Sequence, residues 1–185
     1  IPQSVEEIGD CAFFSCNSMT SIKIAASPTN LGSYIFANCT SLTKVVLSEN
    51  YKEVSEGMFF ECTKLKYFYG SDYLEKIGDR AFYNCYRVSL EELDAKEIQD
   101  YAFAYAGSIG NVTISTEDIG EGVFSGIEVD SLTIEKTVQT EDAFDNATIN
   151  KMTLGSDVDS SIQKSIRTAY VTDFDVAEDN PNLSE

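Results

Sequence analysis

The stretch IGDCAFFSCNSMTSIKI, Ile8 to Ile24, recurs in outline along a chain of 185 residues. Its anchor is Phe13, followed by Phe36, Phe59, Phe82, Phe103, Phe124 and Phe144 at steps of 23, 23, 23, 21, 21 and 20 residues. Self-similarity at such a period is the signature of a solenoid, in which each unit buries its apolar face only against its neighbours. An aliphatic residue stands five positions before the anchor (Ile8, Leu31, Val54, Ile77, Ile98, Ile119), and Val138 stands six before Phe144. Glycine often follows it (Gly9, Gly32, Gly78, Gly120), as a bend requiring positive φ would favour. Three residues after the anchor come Cys16, Cys39, Cys62 and Cys85, then Ala106 and Ala147, which together read as a small buried slot.

Each unit closes on an L-x-x-L-x-L pattern, as in Leu42, Val45, Leu47 and Val129, Leu132, Ile134. Two units depart from it: Leu65 and Phe68 run into Gly70, and Leu90, Leu93, Ala95 follow a two-residue insertion. Alternation over the last apolar pair is the period-2 mark of a strand with one buried face, so eight parallel strands are expected, the last carrying Val171, Phe174 and Val176. In the eighth unit Ile162, Ile166 and Tyr170 lie four apart, which predicts about two turns of amphipathic helix capped by Ser160 or Ser161.

The unit I-G-x-x-A-F-x-x-C-x-x-L-x-x-I-x-I resembles the BspA-like, or treponemal-type, leucine-rich repeats of surface proteins. Ile8 to Ile24 and IGDRAFYNC (Ile77 to Cys85) fit almost residue by residue, Ile1 to Val5 look like the link between such units, and FDVAEDNPNLSE looks like the family's strand and N-P turn. The resemblance covers essentially the whole chain. It implies a right-handed leucine-rich-repeat solenoid, mostly β, with a parallel sheet on the concave side and short helical or 3₁₀ turns on the convex side. It also implies an extracellular or cell-surface setting and adhesion to host matrix proteins or other cells.

Residues 1–185 read as one domain of about eight units, with no linker dividing them and with ends that resemble interior repeats, as a piece of a longer protein would have. No run of apolar residues is long enough to span a membrane. A net charge of −18 and a pI near 4.2 oppose nucleic acid and anionic lipid as partners. Asp10, Glu56, Asp79, Asp100, Glu121 and Glu141 all precede their anchor by three residues and should stack along one edge, as a hydrated rim or a cation ladder. Asp157, Asp159, Asp173, Asp175 and Asp179 match no calcium-loop spacing.

With no histidine, the chain has no Ser-His-Asp or Cys-His arrangement, and neither G-x-G-x-x-G nor G-x-x-x-x-G-K occurs. No catalytic residues, cofactor or metal are assigned. Zinc is disfavoured because no C-x-x-C pair occurs. The cysteine ladder reads as buried free thiols, although neighbouring strands would bring such residues within bridging distance. Cys11 occupies a slot filled by Tyr34, Gly57, Arg80, Tyr101, Gly122 and Asp142 elsewhere, the variability of an exposed position, and should be the most easily modified thiol.

The outward residues of the strands should form two columns. One runs Ser21, Lys44, Tyr67, Glu92, Asn111, Ser131, Lys151, Asp173; the other runs Lys23, Val46, Tyr69, Asp94, Thr113, Thr133, Thr153, Asp175. Tyr67, Tyr69 and Val46, flanked by Lys23, Lys44 and Lys66, are the candidate protein-binding patch, since tyrosine gives large contact area at small entropic cost. Cross-strand pairing that merely stabilises the sheet is the competing reading. Phe14, Phe60 and Tyr83 are expected to pack between successive turns on the convex side. Sequons stand at Asn38, Asn111, Asn146 and Asn182.

Overall fold

The computed structural model describes residues 1–71, 74–117 and 119–183. Among them run thirteen strands: β1 (Glu7–Ile8), β2 (Ser21–Ile24), β3 (Asn30–Leu31), β4 (Lys44–Leu47), β5 (Glu53–Val54), β6 (Tyr67–Tyr69), β7 (Lys76–Ile77), β8 (Ser89–Leu93), β9 (Glu97–Ile98), β10 (Ser108–Ile114), β11 (Glu128–Lys136), β12 (Thr148–Asp157) and β13 (Tyr170–Val176). Eight of them build one parallel sheet in the order β2-β4-β6-β8-β10-β11-β12-β13, so successive coils are neighbours throughout. The short strands at the start of each coil stack separately, β1 on β3 and β5 on β7 on β9, and an isolated Ile98–Ile119 bridge carries the second stack one coil further. The fold is the expected parallel-strand leucine-rich-repeat solenoid of about eight turns with almost no helix.

The seven phenylalanine rings form a continuous near-parallel column, with successive centroids 5.1–5.9 Å apart. Phe36 to Phe144 are fully buried, whereas Phe13, with a neighbour on one side only, is half-buried. Phe68, the departure from the aliphatic pattern, sets its ring edge-on against Phe59 and Phe82 at 5.5 and 5.0 Å.

Around each anchor the backbone alternates between right- and left-handed conformations. Two residues per coil have positive φ, one two positions before the anchor (Cys11, Tyr34, Gly57, Arg80, Tyr101, Gly122, Asp142) and one two positions after it (Ser15, Asn38, Glu61, Asn84, Tyr105, Gly126, Asn146). The alternation turns successive amides toward the next coil: Cys11, Phe13 and Ser15 each donate to Ser33, Ile35 and Ala37 at 2.9 Å, and the same triplet recurs through later coils. A left-handed non-glycine residue costs about 1–2 kcal/mol, so inter-coil hydrogen bonding and ring burial must offset that strain in every coil. Asn38, Asn84, Asn146 and Gly126 are the residue types that tolerate this conformation best, and their recurrence was the readable signal.

The glycines after the aliphatic residue play another part. Gly9, Gly32, Gly78 and Gly120 do not have positive φ. Gly32, Gly78 and Gly120 instead lie flat against the backbone of the preceding coil; a Cβ on Gly78 would sit 2.6 Å from the Glu56 amide nitrogen. Gly9 faces open space.

In the eighth unit a 3₁₀ helix, Ser160–Lys164, replaces the expected two helical turns, and Asp159 rather than a serine caps it, its carboxylate accepting from the Ser161 amide at 2.8 Å. Ile162 is buried, but Tyr170 already begins β13 and is exposed, so the four-residue spacing reflects two elements rather than one helix face. Phe174 and Val176 align with buried Met152 and Leu154, yet both are exposed on β13, the edge strand of the sheet. Past β13, the Asn180 side chain donates to the Gly155 and Val158 carbonyls and accepts from the Asn182 and Leu183 amides, closing the N-P turn.

Candidate functional site: the outer face of strands β2, β4 and β6

Strict alternation along β4 and β6 sends Val45, Leu47 and Phe68 inward and leaves Lys44, Tyr67 and Tyr69 exposed on the other face. The register sets Lys44 beside Tyr67, Val46 beside Tyr69, and Lys23 beside Val46. Tyr67 and Tyr69 are 46% and 50% exposed, high values for aromatic rings on a sheet. Above them the Lys44 ammonium lies 5.3 Å from the Tyr69 ring centre and the Lys66 ammonium 5.0 Å from that of Tyr67, within reach of the ring quadrupoles. Thus all six candidate residues share one surface.

The two outward columns do not cross the whole sheet. Tyr67 pairs with Ser89, not Glu92, whereas Glu92 pairs with Asn111 and Ser89 with Ser108. Ser89, the first residue of β8, thus stands three positions before the Glu92 that the repeat pattern sets beside Tyr67. The columns therefore run Ser21–Lys44–Tyr67 and Lys23–Val46–Tyr69, break, and resume as Glu92–Asn111–Ser131–Lys151–Asp173, with Thr113–Thr133–Thr153–Asp175 beside it. At the break lies a depression of about 470 Å³ bordered by Lys66, Tyr67, Tyr69, Ser89 and Glu91.

The remaining sequence candidates take structural positions. Asp10 and Asp100 accept the Ser33 and Glu121 amides of the following coil at 2.8 Å, so part of the acidic edge stitches coils together. Among the described residues no three His, Cys, Asp or Glu side chains gather to hold a metal ion. Asp79 is pushed above the ordinary carboxylate range, chiefly by burial and also by Asp100 and Glu56, with Arg80 opposing. All five cysteines are free thiols. Cys39, Cys62 and Cys85 are buried, and each donates its S–H to the anchor carbonyl of the preceding coil (Phe13, Phe36, Phe59) at 3.0–3.1 Å. Burial pushes their thiols up, Cys62 to about 12. Cys16 differs from the expected slot: in the first coil described it is exposed like Cys11. Phe60 and Tyr83 stack at 5.3 Å, with Tyr34 and Tyr105 edge-on at either end, whereas Phe14 is 48% exposed.

Sequence reasoning missed the charge checkerboard at the starts of β5, β7 and β9. Lys52–Glu75–Lys96 and Glu53–Lys76–Glu97 each run across three coils, with ion-pair distances of 2.8–3.6 Å. Hydrogen bonds from Lys96 and Lys52 hold Glu75 below the ordinary carboxylate range. The signal was the repeat of opposite charges at the coil period.

No described helix is long and apolar enough to cross a membrane. No curated protein and no solved structure matches the chain. A family model described as a BspA type leucine rich repeat region, in six copies, matches residues 1–95 and 96–180. Repeats of this kind are generally non-catalytic scaffolds for protein–protein interaction, and the family is typically found on bacterial surfaces. With the match running through almost every coil, the chain belongs to the BspA-type leucine-rich-repeat family.

Proposed function

We propose that this chain is a non-catalytic recognition module of a secreted or cell-surface protein, and that it engages host matrix proteins or other cells through the outer face of β4 and β6. The observation that carries the reading is the exposure of Tyr67 and Tyr69, side by side with Val46 at the mouth of a depression and overlain by two lysines. Tyrosines that are half-exposed in the free protein and rigidly backed by a strand lose little entropy on contact, which is the profile of a binding anchor. The test is solution binding to a panel of matrix proteins, fibronectin and fibrinogen among them, beside the Tyr67→Ala/Tyr69→Ala variant. Saturable binding that disappears in the folded variant supports the reading; binding that persists unchanged moves the site elsewhere.

A structural spacer is the second reading, favoured by the unbroken ring column and inter-coil hydrogen bonds, which make a stiff rod. Absence of saturable binding to every panel member, with both proteins folded, would favour the spacer.

A further inference from the structure

The three lysines of this patch have no carboxylate partner. Among the described residues Lys52, Lys76, Arg80, Lys96, Lys151, Lys164 and Arg167 all pair with carboxylates. Of the six without such a partner among the described residues, Lys23, Lys44 and Lys66 gather on this patch and Lys64, Arg87 and Lys136 are not part of it, in a chain holding 31 Asp and Glu against 13 Lys and Arg. Two of them lie over tyrosine rings, which fixes the ammonium in place while leaving its N–H donors free. The surrounding charge is also uneven. Residues 1–70 carry five basic and seven acidic side chains, a net −2, whereas residues 91–185 carry five and 21, a net −16. At physiological ionic strength a Debye length of about 8 Å screens the distant acidic half from this patch.

We propose that the segment held here is an extended acidic peptide, its carboxylates on Lys23, Lys44 and Lys66 and an apolar or aromatic side chain on Tyr67 and Tyr69. The inference rests on the recognition reading of the same face and names its partner's chemistry. A peptide fits better than a polyanionic glycan. The lysines span three adjacent strands, a track of only about 10 Å at the usual strand spacing, and Glu91 at the rim of the depression ends it. The apolar part of the surface, Val46 with the two rings, also gives a densely charged sugar chain little to bind.

The experiment uses the whole chain at about 0.15 M salt, where the distant acidic half is screened. The probes are a fluorescein-labelled peptide of Glu and Tyr in successive pairs, its Lys and Tyr counterpart, and heparin. The expected result is saturable binding of the Glu/Tyr peptide alone, weakened about tenfold or more by Lys23→Gln/Lys44→Gln/Lys66→Gln, as the loss of several exposed ion pairs implies. No binding of the acidic peptide, equal binding by the glutamine variant, preference for the Lys/Tyr peptide, or capture of heparin in its place would each overturn the proposal. The two readings fail separately. If a matrix protein still binds and is lost only on Tyr67→Ala/Tyr69→Ala, while the glutamine variant binds it normally, recognition stands and the acidic partner falls.

Discussion

Replacing Phe82 by alanine removes a ring from the middle of the column. Phe82 is fully buried and meets Phe59 at 5.5 Å, Phe103 at 5.1 Å and the edge of Phe68 at 5.0 Å. A buried phenylalanine truncated to alanine costs about 3–5 kcal/mol, and ring pairs add about 0.5–1.5 kcal/mol each beyond area, so three ring contacts place Phe82→Ala at the upper end, about 4–5 kcal/mol. Phe13 is half-buried and meets only Phe36, at 5.1 Å. Its truncation forfeits roughly half the transfer term and one ring pair, about 1–3 kcal/mol. In a nearest-neighbour solenoid the central change also uncouples the coils on either side, so Phe82→Ala should broaden or split the transition where Phe13→Ala only shifts it. Urea titration followed by circular dichroism reads both quantities. An equal loss from the two variants would refute the stacked column as the source of stability.

Three other outcomes follow from the coil geometry. Gly78→Ala should destabilise by about 1–3 kcal/mol, because its Cβ would meet the Glu56 backbone, while Gly9→Ala, facing open space, should change stability by less than about 0.5 kcal/mol in thermal melts. Alkylation of the native protein should modify Cys11 and Cys16 quickly and the other three cysteines only after denaturation, as mass spectrometry would count. The buried thiols should also make the fold labile to alkali. Their folded-state ionisation is pushed up, so their contribution is whole below the ordinary thiol value of 9.0 and is lost as pH rises from there toward about 12 for Cys62. The loss is about 1.4 kcal/mol per pH unit for Cys62 across that window, and Cys62→Ala should flatten the profile of stability against pH.

The ring period made the solenoid, its strand count and the inward and outward faces legible, because each depends on spacing alone. What the sequence left hidden depends on how one coil sits on the next. The repeat pattern sets Glu92 beside Tyr67, yet the Tyr67 column ends at Ser89. Gly78 looked like a bend residue but is a close approach, since composition does not distinguish positive φ from absence of space. Cys11, Arg80 and Tyr101 share a left-handed backbone that their side chains give no reason to expect. Tyr101 and Tyr105 cover Gly122 and Gly126 of the next coil, where a Cβ would collide with the rings. Of the candidate site, the neighbourhood of Lys23, Lys44, Val46, Tyr67 and Tyr69 followed from alternation, whereas the seating of Lys44 and Lys66 over the rings depends on rotamers that no spacing encodes.

Photo-crosslinking tests the recognition account most directly. A crosslinking side chain placed at position Ser89, beside Tyr67 at the rim of the depression, and separately at Thr133 on the same face of the same sheet beyond the register break, would be irradiated with a matrix protein that the unmodified chain binds. The account predicts a crosslinked complex from the Ser89 position and none from Thr133. Equal yields from both, or a product from Thr133 alone, would contradict it.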